Sequence, residues 1–168
     1  RRSSVYEHNC VILDRSREPF PGRLYITLHL GWAFSMRALL ASTTSHADGL
    51  NLALSDQGVV CDATDELDDL ASITALSGPY EIVILDVGQP QRESLASVRG
   101  LRRSGCTQPI LVLCGRLGPT EEETILHAGA DDVILHPCRP AVLHARMQAL
   151  VRRARGYASA QLVCGNVT

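Results

Sequence analysis

The segment EIVILDVGQP, residues 81–90, decides the fold. Four consecutive apolar residues precede Asp86, and Pro90 follows it four positions later. A continuous apolar run that contains β-branched residues and ends in a turn signal is typical of a strand buried on both faces. Aspartate is common where a strand gives way to a loop, so Asp86 does not by itself indicate a functional site.

The composition indicates one globular domain with a small appendage. The chain has 168 residues, of which 45% are hydrophobic and 20% charged, and its formal net charge is −2. A balance so close to neutral gives no indication of nucleic-acid binding through bulk charge. The six cysteines are scattered without a CxxC pair, which favours reduced thiols in a cytoplasmic protein over a disulfide framework. No apolar stretch is long enough to span a bilayer, so we expect no membrane association.

From residue 36 onward, apolar runs alternate with helical patterns. The predicted strands cover residues 37–41, 59–63, 81–86, 109–115 and 132–136, and the predicted helices cover 45–58, 65–78, 92–105, 120–130 and 139–155. This alternation predicts right-handed βαβ crossovers and an α/β fold, a doubly wound five-stranded parallel sheet in three α/β/α layers.

In such a sheet, chemistry is found outside the carboxyl ends of the strands. The residues predicted at those ends are Ser42, Thr43 and Thr44 after the first strand, Asp86 after the third, Cys114 at the fourth and His136 at the fifth. Asp86 is the only carboxylate among them, which makes it the centre of the candidate site.

From Met36 to about Arg155 the chain resembles a bacterial response-regulator receiver domain. The resemblance rests on MRALLAS (36–42), on the strand ending in ILD with Pro90 beyond it, on PILVLCGR (109–116) and on GADDVILHPCRPAVLHARMQALVRR (129–153). The last segment is similar to the OmpR/PhoB family, with CtrA-like regulators as the nearest group. The tail RRARGYASAQLVCGNVT (152–168) resembles the linker and first strand that lead into that family's winged-helix domain. The resemblance implies a flavodoxin-like (CheY-like) fold in the regulatory domain of a two-component-type DNA-binding transcriptional regulator.

The same resemblance makes Asp86 the phosphoacceptor and implies a degenerate active site around it. The positions concerned are Ser42 and Thr43 in place of the metal-binding acids, Cys114 in place of a hydroxyl residue, Val133 in place of the switch aromatic residue and His136 in place of a lysine. Hydroxyl groups are poor ligands for a hard cation, so we expect no cofactor and weak magnesium binding at most. We therefore predict a receiver that does not depend on phosphorylation.

Three other interpretations of these residues stay open at this point. The first is a conventional switch that is phosphorylated on Asp86. The second is a metal-binding sensor that uses Asp86, Cys114 and His136, since this oxygen, sulfur and nitrogen set could hold zinc. The third takes His136 as a pH reporter beside a carboxylate. A Cys–His nucleophilic pair would make the protein a small hydrolase, but we expect no enzymatic activity.

The resemblance also implies a two-fold dimer through the fourth helix, the fifth strand and the fifth helix. Asp132 with Arg146, and Asp131 with Arg153, match two cross-subunit ion pairs of the OmpR/PhoB pattern. A third pair, normally lysine with glutamate, falls on Glu122 and Val142 and is absent. The implied partners are a second copy of the chain, a histidine kinase, and DNA through a domain beyond residue 168.

The two ends of the chain fall outside the receiver pattern. We interpret residues 1–35 as an extension that is disordered or non-native, 36–155 as the receiver domain, and 156–168 as a linker with the start of a truncated winged-helix domain.

Overall fold

A computed structural model describes residues 10–13, 24–27, 36–90, 92–118 and 120–156, the first two ranges as backbone only. The strands are β1 (Cys10–Leu13), β2 (Leu24–Thr27), β3 (Arg37–Ser42), β4 (Val60–Thr64), β5 (Ile82–Val87), β6 (Ile110–Cys114) and β7 (Asp132–Leu135). The helices are α1 (Ala47–Ser55), α2 (Leu70–Ser77), α3 (Arg92–Arg103), α4 (Glu121–Ala128) and α5 (Pro140–Ala154). None of the helices in these ranges has the length and apolar character needed to cross a bilayer.

The strands form one sheet in the order β1-β2-β4-β3-β5-β6-β7. The five strands from β3 to β7 are parallel to their neighbours, which confirms the predicted doubly wound sheet. The sequence did not predict β1 and β2, which pair antiparallel with each other and extend the sheet beyond β4. The rest of the predicted extension (1–9, 14–23 and 28–35) and the predicted linker and winged-helix start (157–168) lie outside the described residues.

Two apolar layers cover the two faces of the sheet. Successive side chains of a strand point to opposite faces, so Leu40 and Ile84 pack in one layer with α1 and α5. Their neighbours Leu39 and Val83 pack in the other layer with α2, α3 and α4. The parallel strands therefore have apolar residues on both faces, which is why their sequences are almost continuously hydrophobic.

Helix α2 begins at Leu70, five residues later than the sequence indicated. The segment 65–69 carries four carboxylates, and a helix would stack Asp65 on Asp68 and Asp69, where like charges destabilise it. The hydroxyl of Thr64 instead accepts a hydrogen bond from the backbone N–H of Glu66 at 3.2 Å. These residues therefore form a loop rather than a first helical turn.

Arg102 ties the end of α3 to the beginning of β7. Its guanidinium donates hydrogen bonds to the carbonyls of Cys106, Gln108 and Gly129 and pairs with Asp131 at 2.5 Å. Gly129 ends α4 with a positive φ of 116°, and a Cβ there would lie 2.7 Å from Cγ of Arg102. Glycine is thus required both by the backbone and by the close approach of Arg102.

A buried polar cluster joins β3, β4 and the segment before β5. Asp62 is fully buried, and its Oδ2 accepts hydrogen bonds from Arg37 Nη2 at 2.6 Å and from the Tyr80 hydroxyl at 2.8 Å. The Arg37 guanidinium also lies 5.0 Å from the centre of the Tyr80 ring. Burial, reinforced by the charge of Asp62, raises the pKa of Tyr80, so the phenol keeps the proton that it donates.

We expect Asp62→Ala to lower the free energy of unfolding by about 2–3 kcal/mol. Removing one partner of a buried ion pair leaves the other charge without compensation, and the partial exposure of Arg37 reduces that cost. Urea unfolding followed by circular dichroism measures the change. Asp68→Ala, an exposed carboxylate in the neighbouring loop, is the control and should change stability by less than about 0.5 kcal/mol. Equal effects of the two substitutions would contradict a structural role for the cluster.

Candidate functional site

The candidate site lies where β3 and β5 end side by side. The two strands are parallel neighbours, and their register places Ser42 opposite Asp86. The chain crosses to opposite faces of the sheet after these two strands, which makes this edge the topological switch point of the fold. Asp86 is only 3% exposed there, so its carboxylate needs hydrogen-bond partners from the protein.

Two hydroxyl groups supply those partners. Ser42 Oγ donates a hydrogen bond to Asp86 Oδ2 at 2.8 Å, and Thr44 Oγ1 donates to the same oxygen at 2.6 Å. The two hydroxyl oxygens are 3.1 Å apart, and the Thr44 backbone N–H donates to Ser42 Oγ at 3.2 Å. Thr43, predicted as a site residue, contacts Asp86 through its backbone N–H only. The hydroxyls that reach the Asp86 carboxylate are therefore those of Ser42 and Thr44.

This arrangement does not suit the magnesium ion that receiver domains use. The ion prefers carboxylate and carbonyl oxygens, whereas Ser42 and Thr44 use their hydroxyl protons to satisfy the carboxylate itself. The sequence also has no lysine, because all 16 of its Lys and Arg residues are arginines. No amine of the chain's own side chains can therefore neutralise a phosphoryl group at Asp86.

The Cys114 thiol ends the strand next to that of Asp86 and has a raised pKa. It ends β6, is fully buried, and has its pKa raised to about 11 by burial first, then by the charges of Glu121 and Asp86. A thiol with so high a pKa carries almost no thiolate near pH 7. Both Cys114 and His136 are described, and no hydrogen bond joins their side chains. The geometry gives no support to a nucleophilic Cys–His pair.

His136 is held at the site by its backbone and faces a second histidine. Its N–H donates to the Cys114 carbonyl at 2.7 Å, and its ring centre lies 6.3 Å from that of His46. Sequence reasoning missed His46, although it follows Thr44 by only two residues in the same loop. Among the residues that the structure describes, no three His, Cys, Asp or Glu side chains are arranged to hold a metal ion. The Asp86, Cys114 and His136 zinc site is therefore not supported.

The remaining predicted residues lie away from Asp86. Val133 is buried in the layer formed with α2, α3 and α4. Asp132 pairs with Arg146 at 2.9 Å within one chain. Asp131 Oδ2 is engaged by Arg102 and by the backbone N–H of Ile110 at 2.7 Å. Arg153 is exposed on the last turn of α5.

A cavity that the sequence did not predict adjoins the site. Its volume is about 420 Å³, and it opens between the loops that follow β3, β4 and β5. The lining residues are Thr43, Thr44, Leu67, Val87, Gly88, Gln89, Glu93 and Ser94. Thr44 belongs both to the cavity wall and to the hydrogen-bond network of Asp86.

Known proteins are similar to this chain in sequence and in fold. The transcriptional regulatory protein BasR of Escherichia coli (strain K12) is 34% identical over 120 residues, 71% of this chain and 54% of BasR. The crystal structure of HP1043, an orphan response regulator of H. pylori, matches 70% of this chain and 98% of its own with 28% identity and a TM-score of 0.59. A CheY-like receiver domain protein from Methanospirillum hungatei JF-1 matches with a TM-score of 0.63 at 17% identity, over 74% of this chain and 99% of its own, which supports the fold alone.

The sequence similarity covers only part of each curated relative. The chain spans about half the length of the curated relatives it matches, and no model of a protein family matches it. The matched relatives are transcriptional regulators, and the matched structures are response regulators and receiver domains. The homologues of this chain are thus OmpR/PhoB-family response regulators, and its structural neighbours are response regulators and receiver domains.

Proposed function

We propose that residues 36–155 are the regulatory domain of a cytoplasmic, DNA-binding transcriptional regulator that works without phosphorylation of Asp86. Its relatives bear the names of transcriptional regulatory proteins, which supports the regulatory role. The DNA-binding domain would follow residue 156, and a histidine kinase would be a partner only if Asp86 accepted phosphate.

The observation that carries the proposal is the pair of hydroxyl bonds to Asp86 Oδ2. Both bonds, at 2.8 and 2.6 Å, converge on one carboxylate oxygen from the β3 strand end and the loop that follows it. Two donors on the same atom compensate a buried charge in the way that a bound cation otherwise would. The resting site is therefore satisfied by the protein alone.

Transfer of a phosphoryl group to Asp86 would need groups that the site lacks. The incoming phosphoryl oxygens carry negative charge, which is usually neutralised by a metal ion and by cationic side chains. Ser42 and Thr44 offer hydroxyls, Cys114 is a neutral thiol, and the chain contains no lysine. Oδ2 of Asp86 already accepts both hydroxyl hydrogen bonds, which leaves Oδ1 as the oxygen that could attack.

We further propose that the domain forms a two-fold dimer through the α4–β7–α5 face. Asp132 and Arg146 lie on this face, and the contacts of Asp131 with the residues that the structure describes use its Oδ2. Its Oδ1 can accept Arg153 of a second copy across a two-fold axis, since the Asp131 side chain is 40% exposed. An isologous interface repeats each such contact twice.

Exposed apolar residues on the same face support the dimer. Leu126 on α4 is 40% exposed and Leu135 at the end of β7 is 57% exposed. Val142 replaces the glutamate of the missing third ion pair and is half-buried on α5. The loss of that pair is thus accompanied by apolar surface, so the proposed contact depends less on ions than in the family pattern. Apolar patches of this kind on a small domain are typical of interaction sites.

We expect no phosphoryl adduct when the chain is incubated with acetyl phosphate and magnesium. The reason is the missing cation site and the absence of lysine around Asp86. Intact-mass spectrometry measures the adduct directly. A variant that combines Ser42→Asp, Thr43→Asp and His136→Lys restores the acidic pair and the amine, and should become phosphorylated on Asp86.

Asp86→Asn is the control in both backgrounds. An adduct on the wild-type chain that Asp86→Asn abolishes would show that the protein is a conventional phosphorylation switch and would refute the proposal. An adduct that persists in Asp86→Asn would have formed at another residue and would leave Asp86 unphosphorylated, as proposed.

Leu135→Arg should weaken the dimer by roughly tenfold or more. The substitution removes apolar area and places two like charges near the axis, and each 1.4 kcal/mol corresponds to a factor of ten in affinity. Sedimentation equilibrium between micromolar and millimolar concentrations measures the dissociation constant.

The matched control is Leu76→Arg, which changes an equally large exposed leucine on α2, away from the α4–β7–α5 face. A monomeric wild-type chain throughout that range, or the same effect from both substitutions, would contradict the proposed face.

A further inference from the structure

The cavity beside Asp86 is large enough for a small organic molecule. Its volume of about 420 Å³ falls within the range of about 300–1,000 Å³ that is usual for ligand sites. It lies at the carboxyl edge of the sheet and next to the switch point, where open α/β sheets bind their ligands. Both the size and the position of the cavity therefore suit a ligand.

The lining has an apolar wall and a polar wall. Leu67 and Val87 form the apolar part, and the hydroxyls of Thr43, Thr44 and Ser94 belong to the polar part. A ligand with a short hydrocarbon body and one polar end matches this division. A bare metal ion matches it poorly, because the described residues contain no cluster of metal ligands and the cavity is far larger than an ion needs.

The charged residues around the cavity favour a positively charged ligand. Glu93 contributes a carboxylate to the lining, and no lining residue is basic. The Glu93 carboxylate forms no ion pair with any residue that the structure describes. In the adjoining loop, the pKa of Glu66 is raised by burial first and then by repulsion from Asp65 and Asp69. A cation in the cavity would pair with the Glu93 carboxylate, whereas an anion would be repelled by it.

We propose that this cavity binds a small primary amine with an apolar body. The ammonium group pairs with Glu93 and hydrogen-bonds to the threonine hydroxyls, and the body packs on Leu67 and Val87. The inference rests on the proposed function, since it gives the regulator an input that does not require phosphate.

Thr44 connects such a ligand to the site. Its hydroxyl donates to Asp86 at 2.6 Å and accepts the His46 N–H at 3.3 Å, so its lone pairs and proton are already ordered. An ammonium that bonds to this oxygen polarises the Thr44–Asp86 bond. Occupancy of the cavity is thereby reported at the residue that phosphorylation marks in other receiver domains.

Three probes that share a phenyl group on a two-carbon chain test which charge the cavity prefers in a ligand. The probes are phenethylamine, 2-phenylethanol and phenylacetate, which are a cation, a neutral molecule and an anion. Titrations of the full 168-residue chain, followed by backbone amide shifts of Thr44, Gly88 and Ser94, give the dissociation constants. We expect saturable binding of phenethylamine in the low millimolar range, weaker binding of the alcohol and none of phenylacetate.

Glu93→Gln should weaken phenethylamine binding about three- to fivefold, because it removes one partly exposed charge without changing the shape of the side chain. Glu122→Gln on α4 removes an exposed carboxylate far from the cavity and should leave the affinity unchanged. The inference is overturned if phenethylamine causes no saturable shift, if the alcohol binds as tightly, or if Glu93→Gln binds like the wild-type chain. A wild-type phosphoryl adduct would instead overturn the proposed function, and the two failures are observed in separate experiments.

Discussion

The buried carboxylate of Asp86 sets the requirements that the rest of the site meets. A charge that is 3% exposed is costly unless hydrogen bonds replace its water, and the end of β3 with the loop after it supplies two hydroxyl donors. The parallel register of β3 and β5 places Ser42 opposite Asp86, and the turn after β3 returns Thr44 to the same oxygen. The packing of both sheet faces holds these strand ends in register. The fold therefore supplies hydrogen-bond donors to the buried carboxylate at this position.

Most of the sheet could be predicted because buried parallel strands have a continuous apolar sequence. This sequence pattern does not extend to the strand ends, where the turn that follows determines the direction of each side chain. The sequence therefore favoured Thr43 over Thr44, although the bond from the Thr44 N–H to Ser42 Oγ turns the Thr44 hydroxyl toward Asp86. The pairing of β1 with β2, and of β2 with β4, was missed for a related reason, since addition to a sheet edge depends on a strand that is distant in sequence. The late start of α2 follows from repulsion between carboxylates, which a count of helix formers does not register.

On the α4–β7–α5 face, the sequence predicted which residues form ion pairs better than it predicted their partners. The resemblance to the family predicted Asp131 and Asp132 as partners in cross-subunit ion pairs. Within the chain, Asp132 pairs with Arg146, and Asp131 pairs with Arg102, which was not anticipated. Arg102 also holds the carbonyl of Gly129 at the end of α4. It therefore fixes α4 against β7 before any second subunit arrives. A face that is rigid beforehand loses less conformational entropy on association, which favours a dimer even where one family ion pair is missing.

Thr44 is the residue at which the two proposed properties meet. Its hydroxyl proton satisfies Asp86, and its side chain forms part of the cavity wall beside Glu93. In a receiver controlled by phosphate, the acidic pair and the lysine couple the modified aspartate to the rest of the domain. In the proposed function, the hydroxyls of Ser42 and Thr44 take over the electrostatic part of that task, and the cavity adjoins the same threonine. Because the Thr44 side chain belongs to both, the proposed ligand would act on the aspartate through one hydrogen bond of 2.6 Å rather than through a rearrangement of the sheet.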